Sequence, residues 1–250
     1  MRRLLLLVSL LVAGCGRATT DALEVFAAAS LSEVATEVAA AWEAESGRAV
    51  RLSFAGSQAL ARQLAAVDRG DVFLSANPEE ADRLIAAGRA DAQSRRVFLS
   101  NELALVGLDG PACVDRDDAL ARLRAARRLA TGDPESVPVG RYARAWLESI
   151  GAWDELASRV VGAMNTRAAL ALVEAGAAPL GLVYTSDARA EPSVRVLWTV
   201  PPPESPPIAY VAVGLRPARD GAGEFLVFLE SETARGIFRA HGFKVPDADR

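Results

Sequence analysis

Apolar and polar positions alternate along the chain in two distinct patterns. Short, nearly continuous apolar runs are separated by longer stretches in which apolar residues recur every three or four positions. The first pattern predicts buried strands and the second predicts amphipathic helices. Strands are predicted near residues 22–27, 49–54, 72–75, 103–108, 128–131, 179–184, 194–199 and 208–214. Strands that alternate with helices indicate an α/β fold of mostly parallel sheets flanked by helices.

The helical stretches carry start and stop signals. In the first, Leu31, Val34, Val38 and Trp42 share one face, and Gly47 ends the helix. The other predicted helices are one after Ser57 with Leu60, Leu64 and Val67 facing inward, one after Asn77-Pro78, one over residues 139–150 and one over residues 166–175. Packing positions are expected for all of the tryptophans, which are Trp42, Trp146, Trp153 and Trp198.

The first residues have the composition of an export signal. Arg2 and Arg3 precede an apolar run that is too short to span a bilayer as a helix, and Ala13-Gly14-Cys15 follows directly. Small residues before a cysteine match the site at which lipoproteins are cut and acylated. We predict a signal peptide over residues 1–14, lipidation of Cys15, a linker over residues 15–21 and a membrane-anchored periplasmic or cell-surface protein. The alternative is an ordinary secretory peptide.

Charge and absent motifs narrow the function. The formal net charge of −4 disfavours a nucleic-acid partner, because phosphate-backbone binding needs clustered positive charge. With Cys15 lipidated, Cys113 is the remaining cysteine, so no intramolecular disulfide is expected. The single histidine, His241, has no Gly-x-Ser-x-Gly motif beside it, and the sequence has no Cys/His cluster and no Walker or dinucleotide glycine loop. We predict no catalytic residues, no cofactor and no enzymatic activity, with His241 in a surface turn.

Several predicted strands end at a small or polar residue that opens a helix. These junctions lie around Ser30, Ser57, Val139 and Thr166. A helix start presents N–H groups without intrahelical partners at the positive end of the helix dipole, so it favours an anion. In doubly wound folds such starts gather at the carboxyl ends of the strands, where ligands bind. The structural alternative is ordinary capping, since Ser30 and Glu33 also fit a capping box.

Collinear motifs around these junctions point to a known family. They are Phe-Ala-Ala-Ala-Ser-Leu at 26–31, Phe-Ala-Gly-Ser at 54–57, Asp-Val-Phe-Leu-Ser-Ala at 71–76, Gly-Asp-Pro-Glu-Ser-Val-Pro-Val-Gly at 132–140 and Ala-Pro-Leu-Gly-Leu-Val-Tyr-Thr-Ser-Asp-Ala at 178–188. Together they resemble the periplasmic molybdate-binding proteins of ABC importers over nearly the whole chain. The resemblance implies a two-lobed, type II periplasmic-binding-protein fold. Its expected parts are lobe I at residues 22–98 and 208–246, lobe II at residues 99–207, and hinges near 98–101 and 200–208.

The same resemblance implies a ligand and a binding site. Ser30 and Ser57 would donate hydrogen bonds through hydroxyl and backbone N–H, Val139 and Thr166 through backbone N–H, and Tyr184 through its hydroxyl. Alanine is usual in that family where Val139 stands, and valine where Thr166 stands; both positions act through the backbone, and Thr166 adds a hydroxyl. The implied ligand is molybdate or tungstate, the implied partners are an ABC permease and its ATPase, and a monomer is expected.

The residue chemistry agrees with an oxyanion but leaves alternatives open. Hydroxyl and amide donors suit a tetrahedral dianion, which offers only acceptors, and disfavour phosphate, which keeps a proton near neutral pH. Sulfate remains an alternative ligand, and an enzyme with a cleft serine or a sensory module remain alternative functions. Arg62, Arg141 and Arg167 lie near the junctions and would either add charge to the cleft or form solvated surfaces and pairs between lobes.

Overall fold

The computed structural model describes residues 22–204 and 207–246. The predicted signal peptide, Cys15 and the linker lie outside these residues. The strands are β1 (Leu23–Ala28), β2 (Val50–Ala55), β3 (Val72–Ser75), β4 (Arg96–Asn101), β5 (Leu103–Gly107), β6 (Leu129–Gly132), β7 (Val160–Ala163), β8 (Leu180–Tyr184), β9 (Arg195–Thr199) and β10 (Ile208–Gly214).

Helices cover both sheets that these strands form. They are α1 (Ser32–Ser46), α2 (Ser57–Ala66), α3 (Pro78–Ala86), α4 (Arg116–Ala125), α5 (Pro138–Ser149), α6 (Trp153–Leu156), α7 (Thr166–Glu174), α8 (Thr185–Ala190), α9 (Ala222–Phe228) and α10 (Glu232–Ala240). Short 3₁₀ turns occupy Ala29–Leu31, Ala92–Ser94 and Ala157–Arg159. Within the described ranges, no helix has both the length and the apolar character that a membrane span requires.

The strands form two five-stranded sheets with equivalent arrangements. The first has the order β2-β1-β3-β10-β4 and the second has the order β7-β6-β8-β5-β9. In the first sheet β1 is parallel to β2 and β3, whereas β10 is antiparallel to β3 and β4. In the second, β6 is parallel to β7 and β8, whereas β5 is antiparallel to β8 and β9. Each sheet therefore has one reversed strand, and the predicted fold class of two lobes built on mostly parallel sheets is confirmed.

The chain passes between the two sheets twice. It leaves the first sheet after β4 and enters the second with β5, so that Glu102 alone separates them, and it returns between β9 and β10. The reversed strand of each sheet is the one that follows a crossing. We call the part built on the first sheet the first lobe and the part built on the second sheet the second lobe. The lobe boundaries near residues 98–101 and 200–208 remain a proposal, which these crossings support.

The strands that the sequence pattern missed are β4 and β7, and both lie at a sheet edge. Each is only partly buried, with Val97 of β4 44% exposed. The β4 sequence carries polar residues and lacks the continuous apolar run of a central strand. The β7 sequence is a short apolar run that the strand assignment overlooked. The pattern also missed α4, α6, α8, α9 and α10. The prediction that Val67 faces inward was wrong. The helix ends at Ala66, so Val67 lies just beyond α2 and is 41% exposed.

The aromatic residues pack as expected. Trp42 of α1 contacts Phe225 and Phe228 of α9, with ring centroids 5.7 and 5.3 Å apart, and Trp146 of α5 is fully buried. Gly47 ends α1 in the left-handed conformation with φ of 70°, as the helix-stop signal predicted. His241 follows α10 and lies 2.7 Å from the Glu37 carboxylate near the protein surface.

Candidate anion-binding site

A small cavity lies between the two lobes at the carboxyl ends of their strands. Its volume is about 10 Å³, counted as space open to the centre of a water-sized sphere. A volume of that size holds a water molecule or a small ion and is far below that of a typical organic-ligand pocket. The residues that line it are Ala28, Ala29, Ser30, Gly56, Ser57 and Ala76 from the first lobe, and Val137, Pro138, Asn165, Thr166 and Tyr184 from the second.

Four of the predicted site residues, Ser30, Ser57, Thr166 and Tyr184, therefore line one cavity. They meet because each follows or ends a strand whose carboxyl end faces the other lobe: β1, β2, β7 and β8 respectively. Val139 is not among the lining residues, although its neighbours Val137 and Pro138 are. The binding roles of all of these residues remain predictions.

Ser57 is the first residue of α2 and is 1% exposed. Its hydroxyl oxygen accepts a hydrogen bond from the backbone N–H of Ala76 at 3.0 Å. The N–H groups in the first turn of a helix have no intrahelical partner, and no side chain caps those of α2. The Ser57 hydroxyl hydrogen and these N–H groups can both donate to a ligand.

Ser30 does not form the predicted capping box, because it lies inside the 3₁₀ turn and α1 begins two residues later at Ser32. No side-chain hydrogen bond caps this turn or α1. Glu33, the expected partner, instead forms an ion pair with Arg167 of the second lobe at 3.0 Å. The Ser30 hydroxyl accepts a hydrogen bond from the Tyr210 hydroxyl at 3.2 Å and is left to face the cavity.

Val139 is the second residue of α5 and its side chain is fully buried. Pro138 before it has no N–H, so Val139 and Gly140 carry the first amide donors of this helix. The start of α5 is held tightly against the end of β6: a Cβ atom on Gly140 would lie 2.1 Å from the carbonyl oxygen of Gly132. Glycine at position 140 therefore allows the start of α5 to pack closely against the end of β6, next to the lining residues Val137 and Pro138.

Thr166 is the first residue of α7 and is 4% exposed. The preceding Asn165 caps the helix by accepting from the backbone N–H of Ala168 at 2.8 Å. That cap satisfies the third N–H of the helix and leaves the N–H groups of Thr166 and Arg167 without intrahelical partners. A backbone donor at Thr166 is consistent with this geometry.

Tyr184 ends β8 and is completely buried. Its hydroxyl has no hydrogen-bond partner in the described protein, although it lines the cavity. Burial holds the pKa of Tyr184 well above its usual value, so the phenol stays protonated and able to donate. An unpartnered buried hydroxyl costs about 1–3 kcal/mol, and the Tyr184 hydroxyl is free to donate into the cavity.

Charged side chains surround the cavity but none lines it. Arg141 reaches across the cleft to Glu80 at 3.3 Å, and Arg167 reaches Glu33, so two of the three candidate arginines form pairs between lobes. Arg62 is exposed, and within the described residues no ion pair involves it. The cavity walls are therefore neutral.

Arg167 also lies 3.2 Å from the carboxylate of Asp187 in α8, without the alignment of a hydrogen bond. Burial raises the pKa of Asp187 to about 7, the Arg167 guanidinium opposes that shift and the Glu33 carboxylate adds to it. Because the contact with Arg167 is poorly aligned, the cost of burial dominates.

Two buried residues next to the site were not found from the sequence. Tyr210 of β10 and Asn101 of β4 connect to Ser30 by hydrogen bonds that span 180 and 109 residues. A tyrosine inside a strand and an asparagine at a strand end carry no local signal of such a role. Only the pairing of β10 with β4 brings them together.

Two further features bear on other functions. Within the described ranges, no group of three or more His, Cys, Asp or Glu side chains is placed to hold a metal ion. A larger cavity of about 860 Å³ lies in the second lobe beside Leu108, Arg128 and Pro179. It lies at the end of β6 and β8 opposite to the cleft, away from the predicted donors.

The chain is similar to several known proteins in sequence and fold. The family described as bacterial extracellular solute-binding protein matches residues 23–244. The chain is 37% identical to the molybdate-binding protein ModA of Escherichia coli (strain K12) over 243 residues, 95% of each chain. The Azotobacter vinelandii periplasmic molybdate-binding protein superposes with a TM-score of 0.80 at 25% identity, covering 90% of this chain and 100% of that one. The sulfate-binding protein SubI from Mycobacterium tuberculosis H37Rv shares the fold, with a TM-score of 0.77 at 20% identity over 91% and 88% of the two chains.

Proposed function

Because this chain belongs to the bacterial extracellular solute-binding proteins, we propose that it captures molybdate or tungstate outside the cytoplasm and delivers it to an ABC transporter. The family resemblance predicted from the motifs at 26–31 and 132–140 is confirmed, since a ModA protein is 37% identical over 95% of the chain. Sulfate is the alternative ligand, because a sulfate-binding protein shares the fold.

The observation that carries the proposal is a cavity of neutral hydrogen-bond donors with no charged group on its walls. A tetrahedral dianion offers acceptors on every side, so hydroxyls and helix-start N–H groups satisfy it without a countercharge. Among the described lining residues, Asn165 is the one with an amide side chain and already accepts from Ala168, and none of them carries a carboxylate that could accept a proton from hydrogen phosphate. Neutral donors also avoid burying an arginine that would be left unpaired whenever the site is empty.

Ligand capture would work by closing the two lobes. In the structure the walls are joined across the cleft by the Arg141–Glu80 and Arg167–Glu33 pairs. Ser30 and Ser57 form one wall, and Thr166, Tyr184 and the start of α5 form the other. Only the closed arrangement lets both walls donate to one ion, so the ion favours closure by its greater affinity for that state.

The delivery step involves partners and an anchor that follow from the same proposal. The closed, loaded lobes would dock on a membrane permease driven by a cytoplasmic ATPase, with this chain acting as a monomer, without a cofactor and without catalysis. Lipidation at Cys15 would keep it at the membrane surface. A Cys15→Ser variant expressed in a bacterial host is expected to lose incorporation of labelled fatty acid, and unchanged labelling would contradict the anchor.

Thermal melting across an oxyanion panel tests the proposed ligand. Molybdate and tungstate are expected to raise the melting temperature strongly, because a ligand that binds only the folded state stabilises it in proportion to the logarithm of its concentration over Kd. Sulfate is expected to act weakly and phosphate not at all at equal concentration. A stronger effect of sulfate than of molybdate, verified by titration calorimetry, would replace the proposed ligand with the alternative.

A further inference from the structure

A buried chain of hydrogen bonds leads from the first crossing between the lobes to the wall of the cavity. Asn101, 7% exposed, ends β4 directly before the crossing at Glu102. Its amide nitrogen lies 3.2 Å from the hydroxyl of the fully buried Tyr210. That hydroxyl lies 3.2 Å from the hydroxyl of Ser30, which lines the cavity. The chain thus ends on a predicted ligand donor.

A backbone group that can only donate determines which groups donate and which accept along this chain of hydrogen bonds. The N–H of Glu102 meets one end of the Asn101 amide at 2.9 Å, so that end must be the carbonyl oxygen, Oδ1. The Thr185 hydroxyl lies at 2.9 Å from the same oxygen. The other end is therefore the NH₂ group, which donates to the hydroxyls of Ser186, at 2.8 Å, and Tyr210.

The direction of the next hydrogen bond, between Tyr210 and Ser30, follows in the same way. The Tyr210 oxygen accepts from Asn101, so its own hydrogen is directed to the Ser30 oxygen. The Ser30 oxygen is then engaged as an acceptor, and no described residue accepts its hydrogen. The Ser57 oxygen is also engaged as an acceptor, because it accepts a hydrogen bond from the backbone N–H of Ala76. Each cavity serine thus accepts one hydrogen bond, Ser57 from the backbone and Ser30 from a side chain, and its hydrogen is left to donate.

We propose that Asn101 and Tyr210 are positioning residues that orient the Ser30 hydroxyl as a hydrogen-bond donor and so select fully deprotonated oxyanions over those that carry a proton. This inference rests on the proposed function. A serine hydroxyl that is free to rotate can donate to one ligand and accept from another. With one lone pair of its oxygen engaged by Tyr210 and its hydrogen left free, Ser30 is biased towards donating. It therefore suits molybdate, which offers only acceptors, better than hydrogen phosphate, which also has an O–H to place.

Titration calorimetry on wild type, Tyr210→Phe, Ser30→Ala and the double variant tests the relay. Tyr210→Phe keeps the ring that packs between Tyr184 and Phe243 and removes only the hydroxyl. We expect it to weaken molybdate binding about 3- to 10-fold, the effect of one hydrogen bond. In the Ser30→Ala background the same substitution should change Kd by less than about 2-fold, since a relay acts only through Ser30. The ratio of the phosphate Kd to the molybdate Kd should fall in Tyr210→Phe.

Ser94→Ala is the matched control, because the Ser94 hydroxyl accepts from the N–H of Gly214 at 2.8 Å at the far end of the same strand. It removes a hydrogen bond to β10 without touching the relay, so wild-type affinity is expected. If Tyr210→Phe does not fold, Asn101→Ala replaces it, with the same expected loss and the same dependence on Ser30.

Wild-type affinity in the folded Tyr210→Phe variant overturns the relay, and so does an equal loss with and without Ser30. A wild-type protein that binds neither molybdate nor tungstate would instead refute the proposed function. The two failures are therefore distinguishable within one set of titrations.

Discussion

Gly56 of the first lobe faces the carbonyl oxygen of Met164 in the second so closely that a Cβ atom on Gly56 would lie 2.8 Å from that oxygen. The Gly56 backbone has φ of −63° and ψ of 139°, which any residue adopts. The requirement for glycine at this position thus comes from the opposite lobe and not from the local chain. The contact lies across the cleft between the two lobes.

Gly56→Ala is therefore expected to hinder closure and leave the lobes themselves intact. The added methyl group should weaken molybdate binding roughly 5- to 100-fold, the range expected for an overpacked contact, with little change in ligand-free melting temperature. Calorimetry and small-angle scattering with and without ligand measure both effects. Gly236→Ala, where a Cβ atom would meet nothing within 4 Å, is the control. Wild-type affinity and full compaction in Gly56→Ala would show that the contact does not limit closure.

Ser57→Ala should weaken molybdate binding about 10-fold or more, because it removes a donor to a charged acceptor. Arg62→Ala, five positions further along α2 and exposed, should change Kd by less than about 2-fold. Parallel titrations of the two variants check the assignment. Equal affinities of Ser57→Ala and wild type would remove Ser57 from the site.

Tyr184→Phe is expected to affect the free and the bound protein in opposite directions. Without ligand, loss of an unpartnered buried hydroxyl should leave the free energy of unfolding unchanged or raise it by up to about 1 kcal/mol. With molybdate, the missing donor should reduce affinity about 10-fold. Denaturant unfolding of both proteins, with and without ligand, measures the two effects. A large loss of stability in the ligand-free variant would assign Tyr184 a structural role instead.

Asp187 predicts a specific pH dependence of stability. Its pKa is about 7 in the folded protein and about 3.9 in an unfolded chain, so between these values the folded state binds the extra proton. Its contribution to stability is thus full below about pH 4 and is lost as the pH rises to about 7. Asp187→Asn should remove that loss and be more stable than wild type at pH 8, on the order of 1–3 kcal/mol.

Chemical denaturation of Asp187→Asn and wild type from pH 4 to pH 8 measures this difference. The exposed Asp154→Asn change is the control for loss of a carboxylate at the surface. A difference between Asp187→Asn and wild type that stays constant from pH 4 to pH 8 would contradict the raised pKa of Asp187.

Local sequence patterns determined most of the architecture. Central strands such as β1 and β8 can be recognised from the sequence, because a strand buried on both faces needs continuous apolar residues. The helix starts at Ser57 and Thr166 can also be recognised from the sequence, because each follows a strand end and a small or polar residue. The edge strand β4 was missed because a half-exposed strand has no such composition requirement, whereas the apolar run of β7 is only four residues long and was overlooked.

What the tertiary structure alone decided is which groups meet. The Ser30–Glu33 capping box was the natural local interpretation, but Glu33 pairs with Arg167 from the other lobe, which a local pattern does not contain. The hydrogen bond from Tyr210 to Ser30 spans 180 residues, and the contact of Gly56 with Met164 exists only where the lobes touch. Sequence patterns report the short-range forces that shape strands and helix starts. The orientation of a hydroxyl and the closeness of two backbones depend on packing between distant segments, so only the folded, closed molecule determines them.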